Sequence, residues 1–325
     1  MEPYFFPALW EQRRICIAQT LYEHRVQSVL EVGCGEGNVL AFLVSPSPND
    51  EHPITRLCGI DIKNDALDVA YERLQPNDDD KRDLRVDPLN IQLFHGDASV
   101  SVPDLSVDAV VCTEVIEHVD EQVGAPALTH AVLGGYNPLL AIFTTPNAEF
   151  NVNFPGLAYG TPDARFRDDD HKFEWTREQF RSWAESAASK YGYTVEICGI
   201  GLSMRNPIAS FEPYGGCTQM AVFTRNAADS TTHSDVVTGS TPRLHASAEY
   251  PVFTQPQLNS IALRSLVRKF ALDICNAQQA FQLDELWDIL EIKQQFKRCR
   301  MLEKWLDTQT TCFASQTNGL YTVKI

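Results

Sequence analysis

Apolar residues recur in short runs, each closed by a glycine, an acid or a polar cluster. Val26 to Val32, Leu57 to Ile62, Ile91 to Ala98, Val107 to Cys112 and Leu139 to Thr145 read as five strands. Helical stretches separate them: Glu11 to Tyr22 before the first, Val39 onward after it, and one ending near Leu74 after the second. Thr176, with Gln179 three residues later, offers a capping-box start for a helix through about Lys190. Thr194 to Ile200 and Gln219 to Thr224 then follow one another with no helix read between them. Alternation followed by such a pair predicts an α/β fold, a parallel sheet finished by an antiparallel hairpin.

Outside these elements the pattern weakens. Ser45 to Pro53 and residues 76–88 read as surface loops, the second a charged, solvated insertion. Ala148 to Asp170 is a long connection rich in aromatic residues, Pro and Gly, a length that marks functional loops. Residues 226–258 are Ser/Thr-rich without periodicity and read as a flexible linker. Helical periodicity returns over 259–306, so 259–325 is expected to be a helical extension. Its basic residues, Arg264, Arg268, Lys269, Lys297, Arg298, Arg300 and Lys304, are interspersed with acids and read more readily as a solvated face than as an RNA contact. The expected division is therefore 1–24 as an N-terminal segment, 25–225 as the α/β domain, then linker and extension.

Composition narrows the classes of partner. With 325 residues, 44% of them hydrophobic, a large core is available. The net charge of −16 argues against broad electrostatic binding to long nucleic acid but leaves room for a local phosphate grip. Nine cysteines contain no CxxC pair, and Cys112 and Cys198 lie in apolar runs, as reduced core thiols of an intracellular protein would. No targeting segment or membrane-spanning run is read, so a soluble, cytoplasmic monomer is expected.

The chemistry gathers at the strand ends. Glu31-Val32-Gly33-Cys34-Gly35-Glu36-Gly37 joins a strand to a helix, where glycines let the backbone approach a ligand and helix amides face it. The pattern is ExGxGxG and does not demand a pyrophosphate. Asp61 closes the second strand and is placed to accept hydrogen bonds from ribose hydroxyls, with Asn64 or Asp65 left to cap the next helix. His95-Gly96-Asp97 closes the third. After the fourth comes Glu114-Val115-Ile116-Glu117-His118, which, if helical, sets three metal-capable side chains at i, i+3 and i+4 on one face. The aromatic-Pro opening, Tyr4 to Trp10, reads first as a hydrophobic strap on the first helix and second as a stacking platform for bases.

Glu31 to Gly35, Gly59-Ile60-Asp61 and His95-Gly96-Asp97 together resemble the Rossmann-like, class I S-adenosyl-L-methionine-dependent methyltransferases over about residues 24–224. That resemblance implies a seven-stranded, mostly parallel sheet with an antiparallel terminal hairpin. Gly33, Gly35, Asp61 and Asp97 then hold the cofactor. Adding Glu114-x-x-Glu117-His118, His171-Lys172-Phe173-Glu174-Trp175, Thr145 to Asn151, Cys217 to Phe223 and Phe5-Phe6-Pro7-Ala8-Leu9 with Gln12-Arg13-Arg14, the chain resembles the Hen1 small-RNA 2′-O-methyltransferases of animal type. Ala8 departs from the second proline of that family's FxPPL motif.

The resemblance implies that Glu114, Glu117, His118 and His171 hold one divalent ion, Mg²⁺ or Mn²⁺, with the imidazoles tilting the preference toward Mn²⁺ or Co²⁺. It also implies the 3′ end of a single-stranded small RNA as substrate, with Phe5, Pro7 and Arg13 near it. A Piwi-type Argonaute protein is an expected partner, with localisation to cytoplasmic RNA granules. His118 or a nearby imidazole would take the proton of the reacting hydroxyl.

Other readings stay in view. Glu114-x-x-Glu117-His118 alone is often just a salt-bridged surface helix, and its likeness to the HxxEH zinc motif fails at the first position and in strand context. A metal-independent small-molecule or protein methyltransferase fits the same glycine loop, as does a catalytically inactive RNA-binding scaffold.

Overall fold

The computed structural model describes residues 3–45, 52–82, 85–201, 213–226, 239–252, 258–275, 280–296, 298–315 and 319–324. Most of the expected Ser45–Pro53 loop, and residues 227–238 and 253–257 of the expected linker, lie outside them. The chain divides into two compact units: Met1–Ser45, Arg56–Leu74 and Asn90–Ala248 form the first, and Pro46–Thr55, Gln75–Leu89 and Glu249–Ile325 the second. This division differs from the four consecutive segments expected, because two insertions in the first half of the sequence belong to the second unit.

In the first unit the parallel strands are β1 (Ser28–Val32), β2 (Arg56–Asp61), β3 (Asn90–His95), β4 (Ala109–Thr113) and β5 (Leu140–Pro146), each running parallel to its neighbours in this set. β6 (Tyr193–Ile200) and β7 (Thr218–Arg225) form the antiparallel hairpin, and β7 pairs antiparallel with β5. The order is β6-β7-β5-β4-β1-β2-β3-β8. The eighth strand, β8 (Arg243–Glu249), was not expected and lies inside the stretch read as linker. Its sequence, RLHASAE, alternates too weakly for its period to show, because an edge strand buries few of its side chains.

β1, β2, β4 and β5 are almost wholly buried, as a central parallel sheet covered on both faces requires. Helices α1 (Leu9–Glu23), α2 (Asn38–Val44), α3 (Asn64–Leu74), α5 (Gly124–Thr129) and α6 (Arg177–Tyr191) accompany the sheet. In α6 the capping box forms: the Thr176 hydroxyl accepts from the Gln179 amide at 3.3 Å and the Thr176 amide donates to Gln179 Oε1 at 2.9 Å. α3 starts one residue earlier than a cap at Asn64 would need. Asp61 Oδ1 takes the Lys63 amide at 2.9 Å, so the acid thought free already holds the turn into α3.

The second unit has its own core, built from Val267, Phe281, Leu286, Trp287, Ile292, Phe296, Leu302, Leu306, Phe313 and Tyr321. Its helices are α4 (Asp78–Arg82), α7 (Ser260–Ile274), α8 (Leu283–Trp287), α9 (Leu290–Phe296) and α10 (Cys299–Thr308). It is not purely helical. β9 (Ala280–Gln282), β10 (Phe313–Ser315) and β11 (Leu320–Val323) form a small antiparallel sheet in the order β10-β11-β9. Strands of three or four residues are too short to show a period. Residues 76–88, expected to be solvated, supply a bridge from Arg85 to Val252 and an ion pair from Asp87 to Arg298 at 2.6 Å.

Candidate active site

The carboxyl ends of β1 and β4 open on a cleft of about 420 Å³, lined among others by Trp10, Arg14, Glu31, Gly33, Thr113 and Glu114. Open parallel sheets place ligands at such strand ends. Gly33 has φ +68°, and a Cβ there would come within 2.5 Å of Val115 Cγ2. Gly35 has φ +50° and open space where a Cβ would be. One glycine is needed for packing and the other leaves a face bare for a ligand. Asp61 Oδ2 accepts from the Gly35 amide at 2.8 Å, so the second strand's acid braces the loop after the first.

Two buried atoms in this cleft, Glu31 Oε2 and Thr113 Oγ1, have no hydrogen-bond partner. A buried polar atom without a partner costs free energy that a ligand's donor groups can recover. Burial pushes the Glu31 carboxyl up to about 8, opposed by the Arg14 guanidinium. Arg14 itself stacks on Trp10, its guanidinium carbon 4.2 Å from the ring centroid. A carboxyl and a guanidinium at one end of a cleft suit the ammonium and carboxylate of an amino-acid moiety, so these residues fit S-adenosyl-L-methionine. Sequence alone gives neither Glu31 nor Arg14 a role of its own. Glu31 stood in the glycine motif, and that position was its only signal. Asp97 sits on the exposed turn after β3, where its Oδ1 accepts from the amide and hydroxyl of Ser99 at 2.8 and 2.7 Å.

Beyond Thr113 the chain does not enter a helix as the i, i+3, i+4 reading required. Glu114 has φ +53°, and only Ile116–His118 forms a single 3₁₀ turn. Consequently Glu117, His118 and His171, and not Glu114, are the residues whose ligand atoms lie within 4.8 Å of one another. The Glu114 carboxylate turns elsewhere: Oε1 accepts from Thr144 Oγ1 at 3.0 Å and Oε2 pairs with Arg13 at 3.5 Å.

Each of the three is fixed differently. Glu117 is fully buried, with Oε2 accepting from Thr145 Oγ1 at 2.9 Å and Oε1 left without a partner. Burial, with the Glu114 charge second, holds its carboxyl well above the usual range. His171 comes from the long connection, 54 positions beyond Glu117 in sequence. Phe173 and Trp175 anchor that segment in the core, their rings 4.6 Å apart, and the Lys172 amide donates to the Glu117 carbonyl at 2.8 Å. Nδ1 of His171 meets Glu174 Oε1 at 2.7 Å, which leaves Nε2 for a ligand. Glu174 is in turn held by Asn151 Nδ2 at 2.5 Å and the Arg167 amide at 2.7 Å. The His118 ring stands edge-on to that of His171 at 4.8 Å, and its Nδ1 lies 3.4 Å from Asp170, within ion-pair reach but outside hydrogen-bond geometry.

A carboxylate orienting an imidazole beside a second imidazole and an unpartnered buried carboxylate oxygen is a donor set that could hold a divalent ion. The residues present fit such an ion with three protein ligands. A carboxylate at i+3 from His171 is the sequence signal for Glu174.

The N-terminal segment divides between its two readings. Phe5 packs on Phe150 at 6.1 Å and the Pro7 carbonyl accepts from Gln12, as a strap would, while Tyr4, Phe6 and Trp10 stay 52%, 70% and 48% exposed.

A methyltransferase-domain family model matches residues 30–134. The small RNA 2′-O-methyltransferase of Schizosaccharomyces pombe is 36% identical over 70% of this chain and 64% of its own length, so this chain spans somewhat under two thirds of that curated relative. The crystal structure of the small RNA methyltransferase HEN1 superposes with a TM-score of 0.61 at 28% identity, over 78% of this chain and 29% of that one. That of the methyltransferase domain of a bacterial Hen1 gives a TM-score of 0.52 at 32% identity, covering 67% of this chain and all of the bacterial domain. The chain belongs to the Hen1 family of methyltransferases.

Proposed function

We propose that the protein transfers the methyl group of S-adenosyl-L-methionine to the 2′-hydroxyl of the 3′-terminal nucleotide of small RNAs of the piRNA or siRNA type, protecting their ends. The observation that carries this reading is the pairing of the donor cleft with the Glu117, His118 and His171 cluster, joined through Thr113 and Glu114. Relatives named small RNA 2′-O-methyltransferase support it.

Glu117, His118 and His171 would hold a divalent ion, Mg²⁺, Mn²⁺ or Co²⁺. Bound there, such an ion supplies Lewis acidity that lowers the pKa of a ribose hydroxyl. The chain's own residues do the rest. Thr145 and Glu174 lock two of the three ligands before any substrate arrives, so little reorganisation is left for the reaction. Gly35 leaves the backbone open to the methyl donor, Gly33 packs the loop against Val115, and Asp61 steadies it. His118, whose Nδ1 lies 3.4 Å from Asp170, or a nearby imidazole would take the proton of the reacting hydroxyl. Holding donor and acceptor in line provides much of the rate. A vicinal diol as the recognised group selects RNA with an unmodified 3′ end over DNA.

The proposal includes short, end-directed contact with single-stranded RNA at Phe5, Pro7 and Arg13, a monomer working beside a Piwi-type Argonaute, and residence in cytoplasmic RNA granules. Among the described residues no helix is long and apolar enough to cross a membrane.

The deciding test incubates the protein with a short single-stranded RNA, labelled S-adenosyl-L-methionine and Mn²⁺. The RNA should become resistant to periodate, and a 2′-deoxy end or a chelator should abolish both label and resistance. Transfer that survives the chelator overturns the metal reading, and label on a 2′-deoxy end overturns the 2′ position.

A further inference from the structure

The strand that the sequence hides as linker reaches the donor site. Pro242, buried and immediately ahead of β8, lies directly on Gly96, where an added Cβ would sit 2.7 Å from Pro242 Cβ and 2.8 Å from its Cα. Three residues earlier Gly239 meets Val100, with 2.4 Å between an added Cβ and Val100 Cγ2. Both contacts fall on the turn carrying Asp97, which closes with the Val100 amide donating to the Asp97 carbonyl at 3.0 Å.

That turn is also tied to the neighbouring acid. The Gly96 amide donates to the Asp61 carbonyl at 3.0 Å, and His95 Nε2 lies 3.0 Å from the Ile62 carbonyl. From the other side His245 Nε2 of β8 meets Asp68 Oδ1 of α3 at 2.8 Å, and α3 is the helix that follows Asp61. Gly239, Pro242 and His245 thus brace both turns that end in an acid, Asp61 after β2 and Asp97 after β3. Contacts at van der Waals distance leave no slack, so the backbone there cannot shift without moving the segment.

We propose that Pro242 and β8 form a clamp that positions the Asp61 and Asp97 turns for the nucleoside half of the methyl donor. Pro242 is a positioning residue, acting through Gly96. The proposal rests on the donor assignment but not on the RNA or the metal. The clamp belongs to the first unit, so the cofactor site extends past residue 225, where the sheet was expected to end.

The test measures binding by calorimetry with the full-length protein and three probes: S-adenosylhomocysteine, 5′-methylthioadenosine (the same nucleoside without the amino-acid moiety) and Mn²⁺ alone. Pro242→Gly and Gly96→Ala should each weaken both nucleosides about tenfold and by the same factor, the scale of one misplaced hydrogen bond to a charged acceptor. Mn²⁺ binding should not change. The double variant should lose less than the product of the single losses, because both substitutions disturb one contact. In turnover, the KM for the donor should rise while kcat at saturating donor holds. Leu244→Ala, on the exposed side of β8, controls for general damage and should bind all three probes as the parent does.

Wild-type nucleoside affinity in a Pro242→Gly protein that melts normally overturns the proposal. So does a loss of S-adenosylhomocysteine binding not shared by 5′-methylthioadenosine, or an equal loss of Mn²⁺. Failure of the parent protein to bind S-adenosylhomocysteine would instead refute the donor reading itself, and failure to modify RNA with S-adenosyl-L-methionine as donor, in protein shown to bind both nucleosides, would refute only the proposed substrate.

Discussion

The two halves of the site are built in opposite ways. On the donor side, Glu31 and Asp61 lie in register-paired parallel strands, Glu31 opposite Gly59 and Asp61 opposite His95, and Gly33 and Gly35 directly follow the first of them. Each residue is placed by the strand that ends beside it. On the acceptor side, Glu117 and His118 sit on one 3₁₀ turn, and His171 arrives on a connection held by Phe173, Trp175 and the Glu174–Asn151–Arg167 network. Arg167 alone reaches Asn151 Oδ1 at 2.6 Å, the Cys217 carbonyl at 2.7 Å and the Asn147 carbonyl. The donor side inherits its geometry from the sheet. The acceptor side depends on packing between distant segments, and it should be the easier of the two to disable selectively.

The sharpest break of that comparison is at His171. His171→Ala is expected to cut methyl transfer at least about 100-fold, while Glu174→Gln, which leaves the imidazole but weakens its orientation, should lower Mn²⁺ affinity about 10- to 100-fold. In both, S-adenosylhomocysteine affinity measured by calorimetry should stay within about twofold. If either variant loses donor binding in step with metal binding, the two halves are not separable. The reverse case is Gly33→Ala. A side chain at φ +68°, 2.5 Å from Val115, should destabilise the fold by about 1–2 kcal/mol and weaken the donor, with Mn²⁺ affinity unchanged. Denaturant melts and the same calorimetry decide it.

A third test reads the pH dependence that Glu31 contributes on the donor side. The Glu31 carboxyl is pushed up by burial from its ordinary 4.5 to about 8. The unfolded chain ionises first, so this group's contribution to stability is fully present below about pH 4.5 and is lost as pH rises to about 8. Glu31→Gln should therefore flatten the stability profile across that window in ligand-free protein, read as denaturation midpoints at several pH values. A parent profile already flat there would remove Glu31 from the account of the cleft.

Much of this was legible because the relevant signals are local. The strand that ends in Glu31, the glycines after it and the capping box at Thr176 and Gln179 are each set within a few residues, by backbone conformational freedom and side-chain reach. Glu114 departs from the helical expectation for the complementary reason. Its helical spacing was real in the sequence, but its own left-handed backbone and the pull of Arg13 and Thr144 are tertiary facts, and the turn holds only Ile116–His118. β8 escaped notice because a sheet edge needs little apolar periodicity, and the second unit's sheet because its strands are so short.

By itself, then, the sequence determined the strand–helix alternation, the glycine loop with its flanking acids and the identity of the metal-capable residues, all properties written at short range. Only the tertiary structure decided that Glu117, His118 and His171 meet while Glu114 turns to Arg13, that Glu174 orients His171, and that a strand beyond residue 225 braces the Asp61 and Asp97 turns. Those outcomes depend on which buried groups find partners at a distance, and contact between segments far apart in sequence leaves no period to read.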